Sequence, residues 1–156
     1  CGYSPRMRLD LTVNILTNHA VNKREITVFG GAQMRPNIHI EDMTDLYVKS
    51  LQWPDNAIDG QIFNAGFENQ PVQKIAETVR SVIGDDVLLR TTATDDNRSY
   101  HICSTKIKND LGFEAQFSIR RAISDIRRAF EQGRLPSSLT DERYFNIDLM
   151  KSRNLV

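Results

Sequence analysis

Apolar residues recur at helical spacing in four separate stretches of this chain, and short apolar runs bounded by turn residues lie between them. A pattern that switches from period 3.6 to period 2 and back predicts α/β packing, since each helix needs a sheet or another helix for its apolar stripe. Leu9, Val13, Leu16 and Ala20 share one face of a first helix ending near Asn22. A second runs from about Asp42 to Leu51 with Met43, Leu46, Tyr47 and Leu51 inward, and Trp53-Pro54 stops it because the residue before proline leaves the helical region. A third spans Val72 to Ile83, with Pro71 at its start and Gly84 at its end. A fourth starts at the N-cap residue Ser118, carries Ile119, Ala122, Ile123, Ile126 and Phe130, and ends at Gly133 and Pro136. Strands are expected at Ile26–Phe29, Asn37–Ile40, Gln61–Asn64 and Val87–Leu89, and a short helix near Ser104–Leu111.

The stretch from Val28 to Asp42 carries the chemistry. An apolar run ends in Gly30-Gly31, Gln33 and Arg35 follow, and Glu41-Asp42 opens a helix. This places an arginine on a loop at a strand end, where its planar fork of donors can meet an anion. An arginine in an ordinary surface turn is the plainer reading of the same residues.

The pattern resembles the second half of the extended short-chain dehydrogenase/reductase family, the NAD-dependent sugar-nucleotide epimerases and dehydratases. Four further stretches match in order: Gly2-Tyr3-Ser4-Pro5-Arg6-Met7-Arg8-Leu9-Asp10-Leu11, Gln61-Ile62-Phe63-Asn64-Ala65-Gly66, Asp96-Asn97-Arg98-Ser99-Tyr100 followed by Ser104-Thr105-Lys106-Ile107, and Leu111-Gly112-Phe113. The resemblance covers residues 1–133 and implies the C-terminal portion of a Rossmann-type α/β enzyme, a substrate-binding lobe of helices with short strands. Residues 134–156 form a C-terminal arm or tail.

By that resemblance Arg35 and Arg98 contact the phosphates of a nucleoside diphosphate sugar, and Val28 and Phe29 line the pocket for its base. Leu11 offers a backbone N–H to the pyrophosphate at the start of the first helix. Relatives often carry Asn or Lys where this chain has Asp10, and an aspartate repels phosphate. Asp10 is therefore expected to hold Arg8 or to meet a sugar hydroxyl. Arg6 and Arg8 add positive charge nearby. Tyr3 and Ser4 fall near the sugar and the nicotinamide end of the cofactor. Relatives show another arginine before the late aspartate, where Thr91-Thr92-Ala93-Thr94 has none. The residues by themselves leave packing open for Phe29, and a surface ion pair with Asp95 or Asp96 open for Arg98.

The sequence lacks the Gly-rich dinucleotide turn that presents a helix N-terminus to a pyrophosphate. It also lacks the Tyr-x-x-x-Lys of the family's chemistry, so no catalytic residue is assigned in this chain. It opens at Cys1 inside a recognisable motif and is expected to be the C-terminal half of a longer enzyme. NAD or NADP then binds the full-length protein, the chain alone holds no cofactor, and it is inactive alone. Its partners are the nucleoside diphosphate sugar, the missing N-terminal half and a second copy in a homo-oligomer. The alternative is a non-catalytic binding or regulatory module built on the same lobe. An atypical member acting on an apolar ligand has no use for the arginines.

Twenty basic and twenty acidic residues give no net charge, which argues against a nucleic-acid surface spread over the whole chain. No apolar run reaches the roughly 18 residues of a membrane span, and a cytoplasmic location is the default expectation. Cys1 and Cys103 do not make a disulfide framework, and Cys103 is expected to be a packed thiol. His39 is expected to be structural, and His19 near the end of the first helix to favour its charged form. No His, Cys and acid grouping has metal-ligand spacing.

Overall fold

The computed structural model describes residues 1–95 and 98–155. Its elements run α1 (Thr12–Lys23), β1 (Glu25–Phe29), β2 (Met34–Asn37), α2 (Ile40–Ser50), α3 (Asp55–Ile58), β3 (Glu68–Pro71), α4 (Val72–Ile83), β4 (Leu88–Thr92), α5 (Thr105–Leu111), α6 (Ile119–Glu131), a 3-10 turn (Glu142–Tyr144) and α7 (Asn146–Ser152). β1 pairs in parallel with β4, Glu25 opposite Leu88 through Phe29 opposite Thr92. β2 pairs antiparallel with β3, Arg35 opposite Gln70.

Helices α1, α4 and α6 pack on one another, and α1 and α4 pack on β1. Their stripes interlock in the main core, where Ala20, Ile26, Ile75, Val79, Ala122 and Ile123 have no exposed surface. Two smaller clusters complete the interior. Ile107, Phe113 and Ala115 gather Leu46, Trp53 and Phe63, while Met7, Leu9, Ile126 and Leu135 gather Tyr3, Tyr144 and Phe145. The second of these docks residues 135–145. Leu9 N–H donates to Tyr144 O at 2.8 Å, and buried Asn18 and Ser138 exchange hydrogen bonds at 3.0 and 2.7 Å.

The expected α4 and α6 are found with their start signals in place: α4 follows Pro71, and Ser118 Oγ accepts from Arg121 N–H. Three expectations need correction. The run Asn37–Ile40 is the end of β2 and the entry to α2, because His39 caps that helix. Gln61–Asn64 is not a strand: Ile62 is 83% exposed, and the ladder forms instead at Glu68–Pro71, whose partner β2 lies alongside. The inward face of α2 also differs. Tyr47 and Leu51 are exposed, Met43 and Leu46 are half-buried, and the buried member of the helix is Asp42.

His39 joins α2 to α6. Its Nδ1 accepts from Glu41 N–H at 3.1 Å, its ring lies 5.3 Å from that of Phe117, and Nε2 stands 3.3 Å from Asp125 Oδ2 without forming a hydrogen bond. Gly2 is required here because a Cβ would sit 2.8 Å from Nε2. Burial lowers the His39 pKa, against the pull of Glu41, Asp125 and Asp42 and with that of the Cys1 amino group. Burial likewise lowers His19, helped by Lys23, which reverses the expectation of a favoured charge there. A histidine depressed in the folded state binds protons more readily when unfolded, so stability is full above about pH 6.5 and is lost as pH falls through the folded value. The melting temperature is expected to drop between pH 7.5 and 5.5, and His39→Asn, which keeps an N-cap without titrating, to shrink that drop. An equal slope in the variant refutes the assignment.

Candidate functional site

The Gly-Gly turn works as the sequence suggests. Gly30 and Gly31 hold φ of 75° and 109°, a region costly for residues with a Cβ, and Gln33 closes the turn from both sides. Its Nε2 donates to Phe29 O at 2.9 Å and its Oε1 accepts from Gly31 N–H at 2.6 Å. The glutamine two positions before Arg35 thus fixes the loop that launches β2.

Arg35 leaves β2 toward the segment 98–103. Its Nη1 donates to Met34 O at 3.0 Å and to Arg98 O at 2.5 Å, and its guanidinium lies 5.6 Å from the Tyr100 ring centroid. Met34 N–H donates to Ser99 Oγ at 3.0 Å, and Asn69 takes both backbone groups of Ile102. The Arg35 guanidinium is thereby brought against the backbone of Arg98, 63 positions away. Of the two acids weighed as partners of Arg98, Asp96 lies outside the described residues.

Beside the turn, α1 and the outer edge of β1 enclose a cleft of about 480 Å³ lined by Ile15, Leu16, His19, Lys23, Glu25, Thr27 and Phe29. Phe29 is 61% exposed and forms the wall nearest the Gly-Gly turn. Val28 is not a wall. It is 1% exposed in the main core, because period 2 turns Ile26 and Val28 inward and Glu25, Thr27 and Phe29 outward. The sequence reading missed Thr27 and Ile15; the alternation of β1 carries the signal for Thr27, and the helical spacing from Leu11 to Ile15 for the other.

At the start of α1, Leu11 is the N-cap and is 38% exposed. Asp10 holds Arg8, with Nε–Oδ1 at 3.0 Å and Nη2–Oδ2 at 3.3 Å, and also accepts from Asn146 N–H at 2.9 Å. Burial opposes ionisation of Asp10, but the Arg8 hydrogen bond and the Asn146 N–H outweigh it and keep its carboxyl below the usual range. Tyr3 packs into the cluster with Met7 and Leu9 beneath the Arg134 guanidinium, 5.7 Å away, and Ser4 Oγ donates to Arg6 O. Cys103 is exposed rather than packed, and the Thr105 hydroxyl and backbone N–H lower its pKa. Among the described residues no group of His, Cys, Asp and Glu is arranged to hold a metal ion, and no helix is long and apolar enough to cross a membrane.

Residues 3–66 match the model of the NAD dependent epimerase/dehydratase family. The fold recurs in a UDP-glucose 4-epimerase from Thermotoga maritima solved with UDP-glucose (TM-score 0.71, 20% identity, 84% of this chain and 43% of that one). It recurs in a UDP-glucuronic acid 4-epimerase from Bacillus cereus solved with UDP-glucuronic acid and NAD (TM-score 0.71, 20% identity, 83% and 42%). An L-threonine dehydrogenase from Phytophthora infestans shares it as well (TM-score 0.68, 10% identity, 78% and 41%). This chain thus spans about two fifths of the length of the structures it matches. The resemblance to NAD-dependent sugar-nucleotide epimerases and dehydratases holds, and the fold is part of their Rossmann-type α/β architecture.

Proposed function

We propose that this chain is the C-terminal, substrate-binding part of an NAD-dependent sugar-nucleotide epimerase or dehydratase, and that it anchors the nucleoside diphosphate. The observation that carries this is the meeting of Arg35 with the Arg98–Tyr100 segment at the end of a turn whose other side, Phe29, walls an apolar cleft. A nucleoside diphosphate needs both halves: a flat apolar surface for the base and fixed cations for two adjacent phosphates. On this reading the base lies against Phe29 and Thr27, and the diphosphate passes to Arg35 and Arg98 with the Leu11 N–H beside it. The chain's work is binding and orientation. Grip on the nucleotide, remote from the reacting carbon, sets the position of the sugar. NAD supplies reversible hydride transfer and is held by the part of the relatives' length that this chain does not span.

A second reading, that the chain serves an enzyme of a small ligand without a diphosphate, is favoured by the fold shared with the L-threonine dehydrogenase. Titration with the diphosphates of uridine, thymidine, guanosine and cytidine separates the two. One base is expected to bind at least about tenfold more tightly than inorganic pyrophosphate, through its contact with the cleft, and the chain alone is expected to reduce no NAD with any sugar nucleotide. Failure of all four to bind at millimolar concentration overturns the proposal.

A further inference from the structure

A recess beside α6 encloses about 160 Å³ and shares no lining residue with the Phe29 cleft. Arg121, Asp125 and Arg128 line it from α6, at positions i, i+4 and i+7 that share one face of a helix. Gln132 and Arg134 join them from the turn that ends the helix, and Glu41 from the first turn of α2. Of the three arginines, only Arg121 is committed to a carboxylate. Its Nε donates to Asp125 Oδ2 at 2.8 Å, whereas Arg128 Nη1 stands 3.9 Å from Oδ1, which is buried and accepts no hydrogen bond. Arg134 meets no carboxylate among the described residues and lies over the ring of Tyr3, another wall of the recess. Among the same residues the Gln132 side-chain amide and the Glu41 carboxylate form no hydrogen bond or ion pair. The end of α6 sets no bare carbonyls against an anion, because the Gln132, Gly133 and Arg134 N–H groups donate to Arg128 O, Phe130 O and Ala129 O.

We propose that this recess binds hydrogenphosphate: Arg128, Arg134 and Gln132 donate to its bare oxygens, and its O–H donates to the Glu41 carboxylate. Guanidinium forks match phosphate oxygens in pairs, and two of them here are not spent on protein carboxylates. At about 160 Å³ against about 480 Å³ for the Phe29 cleft, the recess has room for one phosphate rather than a nucleotide. The carboxylate sets the choice between anions. Sulfate has the same shape but no hydrogen at neutral pH, so it turns a bare oxygen toward a bare carboxylate, and that repulsion gives selectivity. This site is separate from the one proposed for the nucleoside diphosphate and does not depend on it.

The test is an NMR titration of the isotope-labelled chain with inorganic phosphate, and separately with sulfate, at constant ionic strength. The Gln132 side-chain amide and Arg134 Nε–H signals are expected to shift together as phosphate is added. Phosphate is expected to bind at least about fivefold more tightly than sulfate, and Glu41→Gln, whose amide can donate to either anion, to reduce that preference to about twofold or less. Arg134→Met is expected to weaken phosphate binding about tenfold, the low end for a charge-assisted hydrogen bond because the group is exposed. Both substituted side chains are exposed and carry no hydrogen bond, so the fold does not rest on them. Equal affinity for the two anions, unchanged affinity in Arg134→Met, or no shift at Gln132 and Arg134 with phosphate at millimolar concentration overturns this inference. Shifts confined to Arg35 and Arg98 also overturn it. None of these results touches the proposed function, which the nucleoside diphosphates test.

Discussion

Arg35→Ala is expected to lower the affinity for the preferred nucleoside diphosphate by ten- to a hundredfold, measured by calorimetry on the folded variant. Hydrogen bonds to charged groups contribute about 1.5–3 kcal/mol, and that range converts to this loss. The position justifies the upper part of it. Arg35 stands on a strand and not on a free loop, opposite Gln70 in a paired ladder, and Gln33 locks the turn before it. Contacts to Arg98 O and the Tyr100 ring orient the guanidinium before any ligand arrives, so little side-chain freedom remains to be lost on binding. Arg35→Lys keeps the charge but lacks the fork and is expected to recover only part of the loss. Binding by Arg35→Ala equal to the wild type removes the residue from the site and the proposed function with it.

The parts of the fold legible in the sequence are those specified locally. α4 and α6 carry continuous apolar stripes between a proline or serine and a glycine, and no distant residue is needed to place them. β1 is legible for the same reason, down to which side chains turn inward once period 2 is applied to Ile26 and Val28. Segments defined by a neighbour are not. Gln61–Asn64 has strand-like residues, but a ladder needs a partner, and none of the described residues pairs with it. Glu68–Pro71 has little apolar character and becomes a strand because β2 lies beside it. In α2 the spacing suggests Tyr47 and Leu51 for the inner face, whereas the helix turns Asp42 inward because two backbone N–H groups require a carboxylate there. The same division runs through the site. The motif from Gly30 to Arg35 can be read from its letters, but the approach of Arg98 and Tyr100 to it depends on a segment 63 residues further along the chain crossing β2.

Asp42→Ala is expected to destabilise the chain by about 3 kcal/mol, measured as a shift in the urea midpoint at unchanged slope. Asp42 is 4% exposed and accepts from Gln116 N–H and Phe117 N–H, each at 2.9 Å. Removing it leaves two part-buried N–H donors without their carboxylate, a penalty that includes their desolvation as well as the lost hydrogen bonds. Asp42→Asn preserves the shape but turns an N–H₂ group toward one of the two donors, so it is expected to cost more than half as much. The consequence reaches the site through the backbone. The Phe117 ring packs at a tilt against His39, and the next residue, Ser118, caps α6, which carries Asp125 toward the same histidine. Loss of the Asp42 clamp frees the 113–117 segment from α2 and loosens the junction where residues 38–40 run beside Cys1. That junction lies directly after β2, so the variant is expected to weaken nucleoside diphosphate binding as well, without touching a ligand-binding residue. A folded Asp42→Ala with wild-type stability shows that the two N–H groups find other partners and that α2 is held by its apolar contacts alone.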